Sequence, residues 1–565
     1  MALQETVNKF GSTGRRKVER NLNKPEKKRT TSSRKDYYTM ITLLTVTGAL
    51  IFRIPLGHLI GDKGIAYFGA ANEIYLVLAG TVAYGLSEAV AILVKYRIKR
   101  EQYKSAQKVL SSALILGGST GLIFSVFFGF LGHFVAEKIM HMPLAGLSVS
   151  LMAPAMFFLI LTGIFRGYFQ GNGSRIPTMH SQILHMIFMF IGGLTGAALL
   201  RGYGRKVSAL LQNEDYTSAY GAMGAALGIL SAAVLCFLHA LILYFIFRNS
   251  LKRQAGRELQ KGQDTGLHIF GMLMATGALY SLFWICFNGL TLFDQYLVFL
   301  FADDVGETVI LWGAYYGKCL VLPGVIGGII NMICLSPVRR ILALAERKDH
   351  RAAREKLGIL IHQCAVIAIP SAVFLAVLSE NILELLFAGD QHQTALWIQI
   401  YSIVIVFNVF ATVFTNILTR SRRMKYAVLI GAGGFLLHAG LLVLLLKTAK
   451  LGITAVLIAN IVFYVLTAGL GFLLISRSFQ YTQEWIRSFA ITIVASAISG
   501  VIAMLLNKVF APMMGTTISM IVCLLVGIIS YVILLLVSRA FRDGELEEMA
   551  GGRILIMLAG ILHIS

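Results

Sequence analysis

From residue 39 onward the chain alternates long apolar runs with short polar connections. Fourteen such runs lie near 39–60, 66–94, 109–131, 148–169, 177–200, 219–247, 268–300, 311–336, 357–378, 395–419, 426–447, 451–475, 486–508 and 516–538. Each has the length, roughly 20 residues, that a helix needs to cross ~30 Å of hydrocarbon. Backbone polar groups in lipid must be paired within their own segment, so helices are expected here. The pattern therefore predicts an all-α polytopic membrane protein with 14 transmembrane helices.

The connections carry a second pattern. KYRIKREQYKSAQK, RNSLKRQAGRELQKG, RRILALAERKDHRAAREK and RSRRMK follow the even-numbered runs two, six, eight and ten, whereas HLIGDKG, ADDVGET and SENILELLFAGDQ lie on the opposite side. RGYGRKVSALLQNED, also on that side, is a mild exception. Lys and Arg mark the cytoplasmic face, which places both termini there, in a multi-pass protein of the cell membrane.

Residues 1–38 read as a basic, disordered cytoplasmic arm. At the other end, GGRILIMLAGILHIS is too short to cross and reads as an interfacial helix in a cytoplasmic tail, 541–565.

Two charges interrupt the first runs, Arg53 and Glu73. Ionised groups at membrane depth are costly and mark a pathway or a buried pair. An internal similarity supplies partners for them: GAANEIYLVLAG from Gly69 aligns with GAYYGKCLVLPG from Gly313, an offset of 244 residues. Six spans separate the copies, so the halves have parallel topology and are related by an axis along the membrane normal.

The offset brings Arg53 near Asp294 and Glu73 near Lys318 in the alignment. The expected arrangement is a neutral quartet lining a central cavity, with Arg53 opposite Asp294 and Glu73 opposite Lys318. The quartet either gates the cavity or braces the fold. The implied division is an N-terminal six-helix lobe (39–247), a cytoplasmic linker (248–267), a C-terminal six-helix lobe (268–476) and helices 13 and 14 (477–540).

Glu88 and Arg166 lie nearer the cytoplasmic ends, open to mutual pairing or to snorkelling. His180, His185, His239 and His438 are intramembrane histidines, each a candidate proton relay or a hydrogen-bonding helix contact. Asn288, Asn331, Asn408 and Asn416 bridge helices or bind hydroxyls.

Composition narrows the classes. The chain has 565 residues, 57% hydrophobic and 14% charged, with a mean hydropathy of +0.74, values suited to a membrane and not to a soluble domain. The formal charge of +22 falls in the arm and the loops, as topology signals do, so nucleic acid is not the expected partner. The six cysteines stand singly in apolar runs and give no metal or redox spacing. No nucleotide loop, HExxH or Gly-x-Ser-x-Gly elbow is present. The expectation is a non-enzyme without cofactor, driven by an ion gradient, the membrane potential or the substrate gradient.

The stretch FRGYFQGNGSRIPTMHSQ, residues 165–182, resembles the motif of the polysaccharide-biosynthesis/stage V sporulation protein B family, within the multidrug/oligosaccharidyl-lipid/polysaccharide (MOP) exporter superfamily. FRIPLGHLIGDKGIAYFG, TLFDQYLV and IAIPSAVFLAVLSENILELLFAG agree with it. The resemblance implies two six-helix lobes around a cavity plus two C-terminal helices. It also implies a flippase that moves a lipid-linked oligosaccharide or cell-wall precursor, of polyprenyl-pyrophosphate type, outward by alternating access. Carried onto matching positions, Arg53, Arg166, Gln170, Gln182 and Asp294 become the substrate set, beside Glu73 and Lys318.

Just after Ser181-Gln182 the family commonly has an acidic and then a basic residue, whereas His185 and Met189 stand here. Coupling candidates are Glu88, His185 and Asp294. The alternative is a cation-coupled multidrug exporter of the same superfamily. A membrane-embedded glycosyltransferase ranks last, because the outer loops are too short for a catalytic acid cluster.

Overall fold

The computed structural model describes residues 41, 45, 47–256, 265–387, 391–421, 423–542, 544–549 and 551–561. The expected basic arm, residues 1–38, lies outside the described residues, as do residues 257–264 of the linker. Among the described residues every regular element is helical.

The elements of the first half are α1 (Arg53–Ile74), a π-helical segment (Tyr75–Ala79), α2 (Gly80–Ile98), α3 (Tyr103–Phe134), α4 (Gly146–Gly171), α5 (Ile176–Leu211) and α6 (Asp215–Gly256). The second half has α7 (Gly266–Asn288), α8 (Leu290–Leu300), α9 (Val305–Ala314), a second π segment (Tyr315–Cys319), α10 (Val321–Leu335) and α11 (Val338–Glu346). It continues with α12 (His350–Val377), α13 (Ser379–Leu386), α14 (His392–Tyr401), α15 (Val404–Arg420), α16 (Met424–Leu444) and α17 (Ile453–Phe479). Then come α18 (Ile491–Met514), α19 (Thr516–Val537), α20 (Glu545–Glu548) and α21 (Gly552–Ile561).

By length and composition, 12 helices are apolar enough to cross a membrane, or up to 13 when α14 and α15, bent by 41°, count as one span. The expected number of 14 is not reached by that measure. One difference lies at the start, where Thr47–Ile98 counts as a single run although the chain turns back inside it. A straight helix would put Arg53 and Glu73 about 30 Å apart at ~1.5 Å per residue. Instead Arg53 Nη2 is 3.9 Å from Glu73 Oε1, and the rings of Phe52 and Phe68 are 6.0 Å apart. The reversal falls at Gly61, whose φ of 72° and ψ of 175° suit a residue without Cβ.

The seventh apolar run, expected unbroken over 268–300, is interrupted at Gly289, between α7 and α8.

Helices α1 to α6 pack on one another, with α4 in contact with α2, α3 and α6, and α5 lying along α6. In the second half α15 packs against α10, α12 and α17, and α16 against α17. The last pair, α18 and α19, lean on α12. The two groups meet where α1 packs against α8, α9 and the second π segment, and where α2 and α3 pack against α7. At the second contact Ser281 Oγ donates to the Thr81 carbonyl at 2.9 Å, and the rings of Tyr84 and Trp284 lie 4.8 Å apart.

Candidate functional site

Both aligned stretches, GAANEIYLVLAG and GAYYGKCLVLPG, contain a π-helical segment. Such bulges break the regular backbone ladder and recur at functional positions. The second segment carries Tyr316, buried, whose hydroxyl accepts from Arg53 Nη2 at 2.8 Å and Asn72 Nδ2 at 2.9 Å and donates to Glu73 Oε1 at 2.7 Å. Arg53 Nη1 also donates to the Tyr316 carbonyl at 3.0 Å, and its guanidinium carbon lies 3.7 Å from the Tyr316 ring centre. Asn72 and Tyr316 are 244 residues apart, the offset of the aligned stretches, so these counterparts touch directly.

Close approach at this contact depends on glycine. A Cβ on Gly69 would lie 2.9 Å from the Tyr316 ring, and one on its counterpart Gly313 would run into the backbone of Asp62.

The expected cross-pairing of the quartet is overturned. Arg53 pairs with Glu73 of its own half, the two joined through Tyr316. Lys318 reaches Asp62 at 2.9 Å and not Glu73. Asp294, fully buried, lies 2.6 Å from His438 Nε2, and its other oxygen accepts from Asn460 Nδ2 at 3.0 Å. The physical reason is the reversal at Gly61, which folds Arg53 back beside Glu73. Asp294 stands on α8 among α16 and α17 of its own half, and finds hydrogen-bond donors there. Each of the four charges of the expected quartet thus has a partner, as burial requires.

Glu88 and Arg166 do not pair with each other. Arg166 Nε donates to Ser181 Oγ at 2.7 Å, and Glu88 stands within electrostatic range of Arg175 and Arg420. Gln170 Nε2 donates to Thr178 Oγ1 at 3.1 Å. Gln182 and His185 are half-buried on α5, with His185 in electrostatic range of Arg166. The site residues therefore form three sets: a node between the halves around Tyr316, a basic set around Arg166, and an acid–imidazole pair at Asp294 and His438. Asn331 donates to Asn408 Oδ1 at 3.0 Å, a bridge between α10 and α15.

Sequence reasoning missed Tyr316, Asn72 and Asn460. Tyr316 was within reach of the offset, as the counterpart of Asn72, but a tyrosine in an apolar run gives no charge signal. Asn460 has no sequence mark at all.

The fold is that of the transporters of the MOP superfamily. An inward-facing multidrug resistance MATE family transporter of that superfamily superposes with a TM-score of 0.61 at 14% identity, over 78% of this chain and 98% of that one. The lipid II flippase MurJ in an inward closed conformation gives 0.57 at 16% identity, over 87% and 97%. Residues 39–205 match the MatE family. Stage V sporulation protein B of Bacillus subtilis (strain 168) is 21% identical over 513 residues, 89% of this chain and 95% of that protein. The resemblance carried by residues 165–182 thus agrees with the fold and with a relative matched over nearly its whole length.

Proposed function

We propose that this MOP-superfamily transporter is a flippase for a lipid-linked glycan precursor, moved from the inner to the outer leaflet by alternating access. The observation that carries the reading is the Tyr316 node: a buried polar contact between two separately packed helical groups, with Arg53 and Glu73 neutralising each other inside the first half. Parting the halves there leaves Arg53 with Glu73 and separates Lys318 from Asp62, the ion pair that crosses the break. A contact of this kind suits a two-state gate.

The flippase reading is further supported by the similarity to stage V sporulation protein B and by the superposition on MurJ, which spans more of this chain than the MATE structure does. α18 and α19 add an apolar groove of about 250 Å³ lined by Ile491, Val494, Ile498 and Leu534, chemically suited to a polyprenyl tail. In this reading the basic loops face the cytoplasm, and the Asp62–Lys318 end faces outward.

The test is reconstitution in proteoliposomes with fluorescent undecaprenyl-pyrophosphate glycans, scoring exposure on the far leaflet. Protein-dependent flipping is expected. Efflux of small cationic dyes with no glycan flipping would replace this reading with a cation-coupled multidrug exporter, which the MATE superpositions favour.

A further inference from the structure

Where α15 and α17 end and α16 begins, a cavity of about 440 Å³ opens at the surface of the second half. Its walls are Leu418 of α15, Arg423 and Tyr426 at the start of α16, and Leu474, Arg477 and Ser478 of α17. Among the described residues none of the first half lines it, so the cavity lies apart from the contact between the halves at Tyr316. Its volume falls in the range of small-molecule sites, about 300–1,000 Å³.

The charge of the cavity is one-sided. Arg423 Nη1 donates to the neutral Ser478 Oγ, which draws its guanidinium across to α17, beside Arg477. Among the described residues neither arginine forms an ion pair, and no wall residue is acidic. The three helix ends add about half a charge each, negative from α15 and α17 and positive from α16, whose start has no side-chain cap. That leaves most of the two guanidinium charges uncancelled.

The surroundings are those of a membrane face. Tyr426 is 51% and Trp485 60% exposed, and the Trp485 ring lies 5.7 Å from that of Phe472 on α17. Exposed Tyr and Trp at helix ends stand at headgroup level. In the reading that puts the basic loops in the cytoplasm, the cavity faces the leaflet that carries anionic lipid. A topology signal needs only charge in a loop, whereas Arg423 and Arg477 share a cavity whose other walls are mainly apolar. Leu418, Leu474 and the Tyr426 ring offer nothing to a free anion but suit the glycerol and upper acyl carbons of a lipid.

We propose that this cavity binds the phosphodiester headgroup of an anionic membrane phospholipid. Arg423 and Arg477 hold the phosphate, Ser478 keeps Arg423 in place, and Leu418, Leu474 and Tyr426 cover the glycerol. The lipid is a bound membrane component and not cargo, so the site stands whatever the transporter carries.

The experiment is native mass spectrometry of the full chain released from detergent micelles, titrated with phosphatidylglycerol or with phosphatidylcholine of the same acyl chains. Wild type should take up phosphatidylglycerol at concentrations about tenfold lower, the scale of one charged hydrogen bond. Arg423→Gln with Arg477→Gln should weaken that uptake about ten- to a hundredfold and leave phosphatidylcholine unaffected. Arg423→Lys with Arg477→Lys should stay within roughly tenfold of wild type, keeping the charge and losing the forks. Lys99→Gln with Arg100→Gln, which removes two exposed charges from the other half, should change nothing.

Ser478→Glu sets a carboxylate beside both arginines and should abolish the preference at an unchanged thermal midpoint, which decides the matter if the double glutamine variant fails to fold. Equal uptake of the two lipids by wild type overturns the site, as does a preference retained in Ser478→Glu. An equal loss from the Lys99, Arg100 variant overturns it too, by showing a general attraction of basic loops. Displacement of phosphatidylglycerol by inorganic phosphate at a comparable concentration overturns the lipid as occupant and assigns a free anion.

Discussion

At the scale of single residues, Tyr316 is a small change with a large reach. Tyr316→Phe keeps the ring under the Arg53 guanidinium but removes the hydroxyl that serves Arg53, Asn72 and Glu73. Stranding buried partners in this way should cost about 2–3 kcal/mol, read as a lower thermal midpoint in detergent. Glu73→Gln leaves Arg53 buried without its anion and should cost more, about 3–5 kcal/mol. The exchange Arg53→Glu with Glu73→Arg should recover part of that loss. The combination Arg53→Asp with Asp294→Arg should recover none, since Asp294 is held by His438 and Asn460; rescue there would revive the cross-paired quartet.

At the scale of elements, the segment after α19 is fastened by buried charge. Glu545 on α20 lies 2.7 Å from His362 Nδ1 of α12, and accepts from Arg487 Nη2 and from the Arg542 backbone N–H at 3.0 Å. Phe541 stacks on the His362 ring at 5.3 Å, and Lys356 pairs with Glu548. Burial pushes the Glu545 carboxyl up, but the bonds from His362 and the Arg542 N–H and the Arg487 charge outweigh it and hold the group below the ordinary glutamate value.

A carboxylate with a depressed folded pKa contributes stability that is present above its unfolded value, about 4.3, and is lost as pH falls through the folded value. The protection of the amides around Glu545 against hydrogen exchange, taken relative to the unstructured rate at each pH, should therefore be high at neutral pH and fall as pH drops below about 4.3. Glu545→Gln should show low protection at every pH. An unchanged rate in Glu545→Gln would mean that Phe541 and the Lys356–Glu548 pair hold the segment without this carboxylate. The apolar α21, with Ile556 and Met557 exposed, comes next in the chain.

At the scale of the molecule, the two groups of helices touch at both ends, at Tyr316 and at Thr81–Ser281. Alternating access requires these contacts to break in turn. A Thr81→Cys, Ser281→Cys pair, oxidised, should therefore stop transport and release it on reduction, read in the proteoliposome assay. Full activity of the cross-linked protein would mean that the α2–α7 contact never opens. The division into lobes at 247 and 268 is the matching proposal: each lobe moves as a body because α1 to α6 pack on one another, as do α10, α12 and α15 to α17.

Much of this was legible in the chain itself. Apolar runs of spanning length dictate helices, because lipid offers backbone groups no other partner, and both the motif at 165–182 and the 244-residue offset are visible as letters. Arg53, Glu73, Asp294 and Arg166 stand out because a charge among apolar residues is rare. Which charge meets which was not legible. The reversal at Gly61, the break at Gly289 and the reach of Tyr316 between the halves set the pairs, and each depends on backbone geometry and on side chains more than 140 residues apart. Sequence spacing measures distance along a helix, whereas ion pairing depends on distance through space, and only the packing of the two halves converts one into the other.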